Sequence, residues 1–310
     1  MIWSLAVVVV IGAGCSPDPG AATSTTQRVP STSSTATSTT STTSTTSTGE
    51  VPGNTTTSLS VNPEVGDILV VGDWGSGNLP QGAVAGAMAR HAEDNEVEAI
   101  LTTGDNFYTD DAEFLMQPFG WAFDMDIPFW VTWGNHDVES NEKIEAVNQA
   151  FDDPPRWTVQ DWGGIDIVIL DSTQVTSLGQ ASFFIDAMSS SDRPTIVVLH
   201  HPPYSCSHDE STTVVVDQWA DMLDRDVFLV LAGHDHSYQR FTQDEVTYIV
   251  TGGGGAALRE LVECPPDHPE REAGAEVHHF VVLERNPQSV EVTALDVNSN
   301  VVDFVTLELP

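Results

Sequence analysis

Three features of the 310-residue chain predict an α/β domain with βαβ connections. Short apolar runs of strand type alternate with helix-length segments from Asp67 onward, and five of these runs end in polar motifs. Residues 280–307 then alternate apolar and polar side chains around 286–288 and 298–300, the pattern of antiparallel strands joined by tight turns. This last stretch predicts a second sheet closing the domain, so that two sheets pack together between flanking helices.

The folded domain is expected over residues 63–310, behind two segments of different character. Residues 2–14 are apolar except for Ser4, too short to span a bilayer but of the length of a signal-peptide core, which predicts export. Gly12, Ala13 and Gly14 directly precede Cys15, a run that resembles the lipobox of a bacterial lipoprotein. Residues 1–15 are therefore read as a lipoprotein-type signal, with a lipid on Cys15 as the sole membrane attachment. Ordinary cleavage near residue 14, leaving a free thiol, is the alternative. Residues 16–62 read as a stalk dominated by Ser and Thr, with almost no apolar side chains to bury.

Within the domain, the first run, 68–71, leads into Gly72, Asp73, Trp74 and Gly75. The second, 99–101, leads into Gly104, Asp105, Asn106, Phe107 and Tyr108, and the third, 129–132, into Gly134, Asn135, His136 and Asp137. The fourth, 195–199, precedes His200 and His201, and the fifth, 227–231, precedes Gly233, His234, Asp235 and His236. Helical stretches at 80–91, 180–188 and 214–223 have the length of crossovers. Ligands of parallel α/β sheets bind beyond the carboxyl ends of the strands, so five such ends are expected to deliver their side chains to one region. His201 is expected to face away, because neighbouring residues of an extended chain point in opposite directions. Residues 252–255 are four glycines without the Lys and Ser or Thr of a phosphate-binding loop, and read as a tight turn near the site.

Charge narrows the function further. With 46 acidic against 10 basic side chains, the net charge of -36 repels nucleic acid and anionic lipid surfaces. A small phosphorylated substrate would be repelled too, unless the site carried its own positive charge, which metal ions supply. Cys206 and Cys264 could pair as a disulfide in an exported protein, drawing the glycine-rich loop toward His200.

Carboxylate, amide and imidazole donors suit ions of the first transition row, and a bridging Asp allows two of them to clamp one phosphoryl group. Gly-Asp-Trp-Gly, Gly-Asp-Asn-Phe-Tyr, Gly-Asn-His-Asp, Val-Val-Leu-His and Gly-His-Asp-His occur here in the order shown by purple acid phosphatases, and the chain resembles that branch of the calcineurin-like metallophosphoesterases over about residues 67–255. The resemblance implies a four-layer αββα fold with a βαβαβ core. It implies Asp73, Tyr108 and His236 on the first metal, Asn135, His200 and His234 on the second, and Asp105 bridging both. Tyr108 sets this branch apart from the wider superfamily, and its phenolate implies Fe(III) in the first site. The second ion, Fe, Zn or Mn, is left open by an Asn and two His.

By the same resemblance a metal-activated hydroxide attacks a phosphomonoester, while His136 and His208 contact phosphate and protonate the leaving group. His208 stands eight residues after His200, where the pattern has about nine. A phosphodiesterase or nucleotidase on the same core is the second reading, and a non-catalytic surface-binding protein the third. A complete ligand set with His136 beside it argues against the third. The oligomeric state is not legible.

Overall fold

The structure, a computed structural model, describes residues 65–207, 226–266 and 268–310. The signal segment with Cys15, the stalk, the helix expected at 214–223 and His208 lie outside the described residues. None of the described helices is long and apolar enough to cross a membrane.

Two mixed sheets face each other. The first has the strand order β13-β12-β11-β1-β2-β3, from β1 (Asp67–Val71), β2 (Val97–Thr102), β3 (Phe129–Trp130), β11 (His279–Arg285), β12 (Ser289–Asp296) and β13 (Val301–Glu308). The second has the order β10-β8-β9-β7-β6-β5-β4, from β4 (Thr158–Trp162), β5 (Ile165–Ile169), β6 (Thr195–Val198), β7 (Val227–Ala232), β8 (Tyr238–Gln243), β9 (Val246–Thr251) and β10 (Arg271–Ala275). Helices α1 (Leu79–Asp94), α2 (Ala112–Met116), α3 (Gly120–Asp124) and α4 (Asn141–Phe151) belong with the first sheet, and α5 (Leu178–Ser190) with the second.

The period of two along each strand decides the layering. Leu69 and Val71 of β1 pack outward with Val84 and Met88 of α1, whereas Ile68 and Val70 pack inward with Ile167, Ile196 and Leu229 of the other sheet. In the second sheet Ile196 and Val198 face inward, and Val197 and Leu199 face outward to Phe184 of α5. Three apolar clusters thus separate four layers, αββα, and each fully buried Ile, Leu or Val contributes about 1.5–3 kcal/mol relative to exposure.

Two sequence expectations are corrected. The antiparallel C-terminal strands are not a separate second sheet: β11 pairs antiparallel with β1, so β11–β13 extend the first sheet, and the second is built from β4–β10. The five motif-bearing strands are accordingly shared between sheets, with β1, β2 and β3 in one and β6 and β7 in the other. The third strand is also shorter than expected. Beyond Trp130 side chains capture the backbone: Thr132 N–H donates to Thr102 Oγ1 at 3.0 Å, and Thr132 C=O accepts from Asn106 Nδ2 at 2.8 Å.

Candidate metal centre

Each motif begins where a strand stops and the backbone turns sharply. Asp73 (φ 56°), Asp105 (φ 50°) and His234 (φ 70°) all occupy the left-handed region, uncommon for residues with a Cβ and concentrated at functional sites. Glycine supplies the room beside them. Gly104 has φ 93°, and a Cβ there would lie 2.5 Å from His200 Nδ1. At Gly233 a Cβ would meet Asp73 Oδ2 at 2.6 Å.

The side chains converge in two adjoining groups. In the first, Tyr108 Oη lies 3.3 Å from Asp73 Oδ1, 3.4 Å from Asp105 Oδ2 and 3.1 Å from His236 Nε2. In the second, Asn135 Oδ1 lies 3.0 Å from His200 Nε2 and 3.1 Å from His234 Nδ1. Asp105 joins them, since His200 Nε2 is 3.3 Å from its Oδ1. Asp73, Asp105 and His200 are buried, with ligating atoms mutually within 4.8 Å.

Neighbouring groups fix the orientation of the rings. His200 Nδ1–H donates to Thr103 C=O at 2.9 Å, and His236 Nδ1–H to Ala257 C=O at 2.7 Å, so each leaves Nε2 free toward the centre. Ala257 follows the four glycines, and Gly254 N–H and Ala256 N–H reach Gly72 C=O and Asp73 C=O at 2.9 Å each, so this turn does border the site. The Cys206–Cys264 disulfide is formed, and Val262 N–H donates to Cys206 C=O at 3.0 Å, tying the segment after the glycines to the one after His200.

The electrostatics are those of carboxylates awaiting cations. Burial alone would raise the Asp105 carboxyl, but His200 beside it holds it well below the usual range. Burial likewise opposes the charged form of His200, yet Asp105 and Asp73 push it up to about 10, and Asp73 raises His236 against its burial. Burial, then Asp73 and Asp105, raises Tyr108 far above the ordinary phenol range, so its proton leaves only in exchange for another cation. Among the described residues no Lys or Arg pairs with Asp73 or Asp105; their ion-pair partners are histidines. Two buried carboxylates with oxygen and nitrogen donors aimed at common points fit a pair of transition-metal ions.

His136 stands at the rim. Its backbone N–H donates to Asp105 Oδ1 at 2.8 Å, its ring lies 4.5 Å from that of Tyr108 at a tilt of 42°, and Nε2 is 4.0 Å from Asp105 Oδ2. Glu139 Oε1 accepts from Nδ1 at 2.7 Å, and Lys143 Nζ donates to Glu139 Oε2 at 2.6 Å, a chain that the sequence reading missed. Asp137 was missed as well. Fully buried, it accepts from Asn106 Nδ2 and Phe107 N–H at 2.9 Å each and from Gly134 N–H at 2.8 Å, clamping the second motif to the third. Asp235, likewise buried, accepts from Ser205 and Ser207 and anchors the loop that carries His234 and His236.

His201 does not face away. The chain bends after Leu199, so strand alternation lapses, and the His201 ring lies 4.9 Å from that of His200 and 4.6 Å from that of His234. Burial first, then His200 and His234, holds its pKa down at about 3.

The calcineurin-like phosphoesterase family model matches residues 66–238. Purple acid phosphatase 7 of Arabidopsis thaliana is 24% identical over 273 residues, covering 75% of this chain and 83% of its own. Among solved structures, GAP50, the anchor in the inner membrane complex of Plasmodium, superposes with a TM-score of 0.65 at 18% identity, covering 80% of this chain and 90% of GAP50. Purple acid phosphatase PPD1 from yellow lupin (Lupinus luteus) seeds gives 0.65 at 16% identity, over 79% of this chain and 54% of its own. These two likenesses are of fold.

Proposed function

The chain belongs to the calcineurin-like phosphoesterases, and within that family we propose that it is a two-metal phosphomonoesterase of the acid phosphatase type. Its buried His and Asp cluster on this fold makes it a metal-dependent hydrolase. The observation that carries the finer reading is Tyr108, whose hydroxyl lies within 3.4 Å of Asp73, Asp105 and His236. A phenolate there is a hard anionic donor, suited to Fe(III). Asp73, Tyr108 and His236 would hold that ion, Asn135, His200 and His234 a divalent Fe, Zn or Mn, and Asp105 both. When bound, the pair supplies positive charge for phosphoryl oxygens and acidifies a water.

The chain's own residues do the rest. Thr103 and Ala257 carbonyls orient the His200 and His236 rings, and the buried walls exclude bulk water. His136, oriented by Glu139, presents Nε2 at the rim and delivers the proton that a departing alkoxide takes up. The same reading puts the enzyme outside the membrane on a lipid at Cys15, which the Cys206–Cys264 disulfide supports, because such bonds persist in oxidising compartments.

The test is the visible spectrum of the purified full chain together with turnover of aryl phosphate monoester and diester. A broad band that Tyr108→Phe abolishes, with the monoester preferred, is the expected result. Preferred diester turnover without iron or a band would replace this reading with a phosphodiesterase.

A further inference from the structure

One imidazole at the centre has no part in the scheme above. A ring nitrogen of His201 lies within 4.8 Å of ligating atoms of both His200 and His234. We propose that His201 contacts the substrate, its Nε2–H donating a hydrogen bond to an oxygen of the bound phosphoryl group on the side of His200 and His234. The identity of that anion rests on the phosphatase reading; the donor itself rests on local geometry.

The geometry is set by Ser172. Its Oγ accepts the backbone N–H of His201 at 2.9 Å and lies 2.8 Å from His201 Nδ1. The backbone N–H can only donate, so the serine oxygen is the acceptor in that bond. Ser172 is 6% exposed, and the hydrogen of a buried hydroxyl needs an acceptor of its own. His201 Nδ1 is in line to be it, which leaves the ring hydrogen on Nε2. An imidazole in that form does not ligate a metal through Nε2, but it does donate to an anion.

Ser172 is itself held firmly. It opens the short 3-10 turn Ser172–Gln174 after β5, where Asp171 accepts from Thr173 N–H at 2.9 Å and from Arg156 Nε at 2.7 Å. Asp171 is fully buried, and Gln180 of α5 donates to its carbonyl at 3.0 Å. A sixth strand end, outside the five motifs, thereby positions the His201 ring. His201 remains only half-buried, so part of its surface stays accessible.

The test titrates inorganic phosphate into the as-purified full chain by calorimetry, with metal content and aryl phosphate kinetics measured on the same samples. His201→Ala keeps the metal content of the wild type and weakens phosphate binding about tenfold or more, the range for a hydrogen bond to a charged group. His201→Gln, which restores a side-chain N–H, recovers most of that loss, and Ser172→Ala weakens binding in the same direction with metals retained. Phosphate affinity within about twofold of wild type in His201→Ala would reduce the residue to packing, and loss of one metal ion would make it a ligand; either overturns the proposal. Binding is read without turnover, so a wild type that binds phosphate but hydrolyses no monoester refutes the phosphatase reading alone. A wild type that hydrolyses monoesters beside an unaltered His201→Ala refutes His201 alone, and a wild type that neither binds phosphate nor hydrolyses monoesters refutes both.

Discussion

Replacing Cys206 and Cys264 together with alanine removes a covalent link between residues 58 apart in sequence. In the chain-entropy treatment, opening a loop of that length returns about 14 cal/mol/K to the unfolded chain, or about 4 kcal/mol at 25 °C. For a domain of this size each kcal/mol moves the midpoint by about 2–4 °C, so Tm should fall by roughly 8–16 °C. The centre should nevertheless stay assembled at 25 °C. The segment after the glycines keeps its other ties, Ala256 N–H to Asp73 C=O at 2.9 Å, Arg259 N–H to His236 C=O at 3.0 Å, and Arg271 Nη1 to Cys206 C=O at 2.9 Å. The assay is thermal unfolding of the full chain and the double variant by circular dichroism, with phosphatase activity measured at 25 °C. A fall of less than about 3 °C would refute the loop-entropy reasoning. A large fall accompanied by loss of bound metal would show that the disulfide, rather than these hydrogen bonds, holds His236 in place.

Asp137→Ala leaves Asn106 Nδ2, Phe107 N–H and Gly134 N–H without their buried acceptor, and should cost about 3–5 kcal/mol in urea unfolding; a cost below about 1 kcal/mol would contradict the clamp. His279 is fully buried between Thr251 Oγ1 and Val277 C=O, and burial holds its pKa down at about 4. The unfolded chain therefore binds its proton first as pH falls, so stability present above about pH 6.5 is lost between about 6.5 and 4, by about 3 kcal/mol. His279→Gln should flatten that limb in Tm-versus-pH scans, and an unchanged slope would refute the assignment. The net charge of -36 repels an anionic substrate over a distance that salt shortens to about 10 Å at 0.1 M. KM for an aryl phosphate should thus fall as NaCl is raised, with kcat steady; a rising KM would mean that the field at the site is already positive.

The centre was more legible than the frame around it. Asp, Asn and His after short apolar runs carry a spacing that survives in any sheet arrangement, so all seven expected ligand positions come together although the strands divide between two sheets. The pairing of β11 with β1 is a contact across more than two hundred residues, and no local pattern encodes it. Strand β8 escaped notice because its turn to β9 uses Asp244 and Glu245 in left-handed conformations (φ 51° and 68°), where glycine or asparagine would have marked a hairpin. The hairpin β4–β5 does carry that mark, in Gly163 and Gly164, and was there to be read. His201 was misread because alternation was extended three residues past the end of β6, and the Glu139 and Asp137 contacts depend on side-chain geometry that spacing does not contain.

The central claim is that two metal ions share Asp105, and quantifying bound metal in the full chain and two variants tests it most directly. The account predicts about two ions per wild-type chain, loss of one in Asn135→Ala, whose oxygen faces His200 and His234, and loss of both in Asp105→Ala. A wild type holding one ion or none, or an Asp105→Ala chain that keeps both, would contradict it.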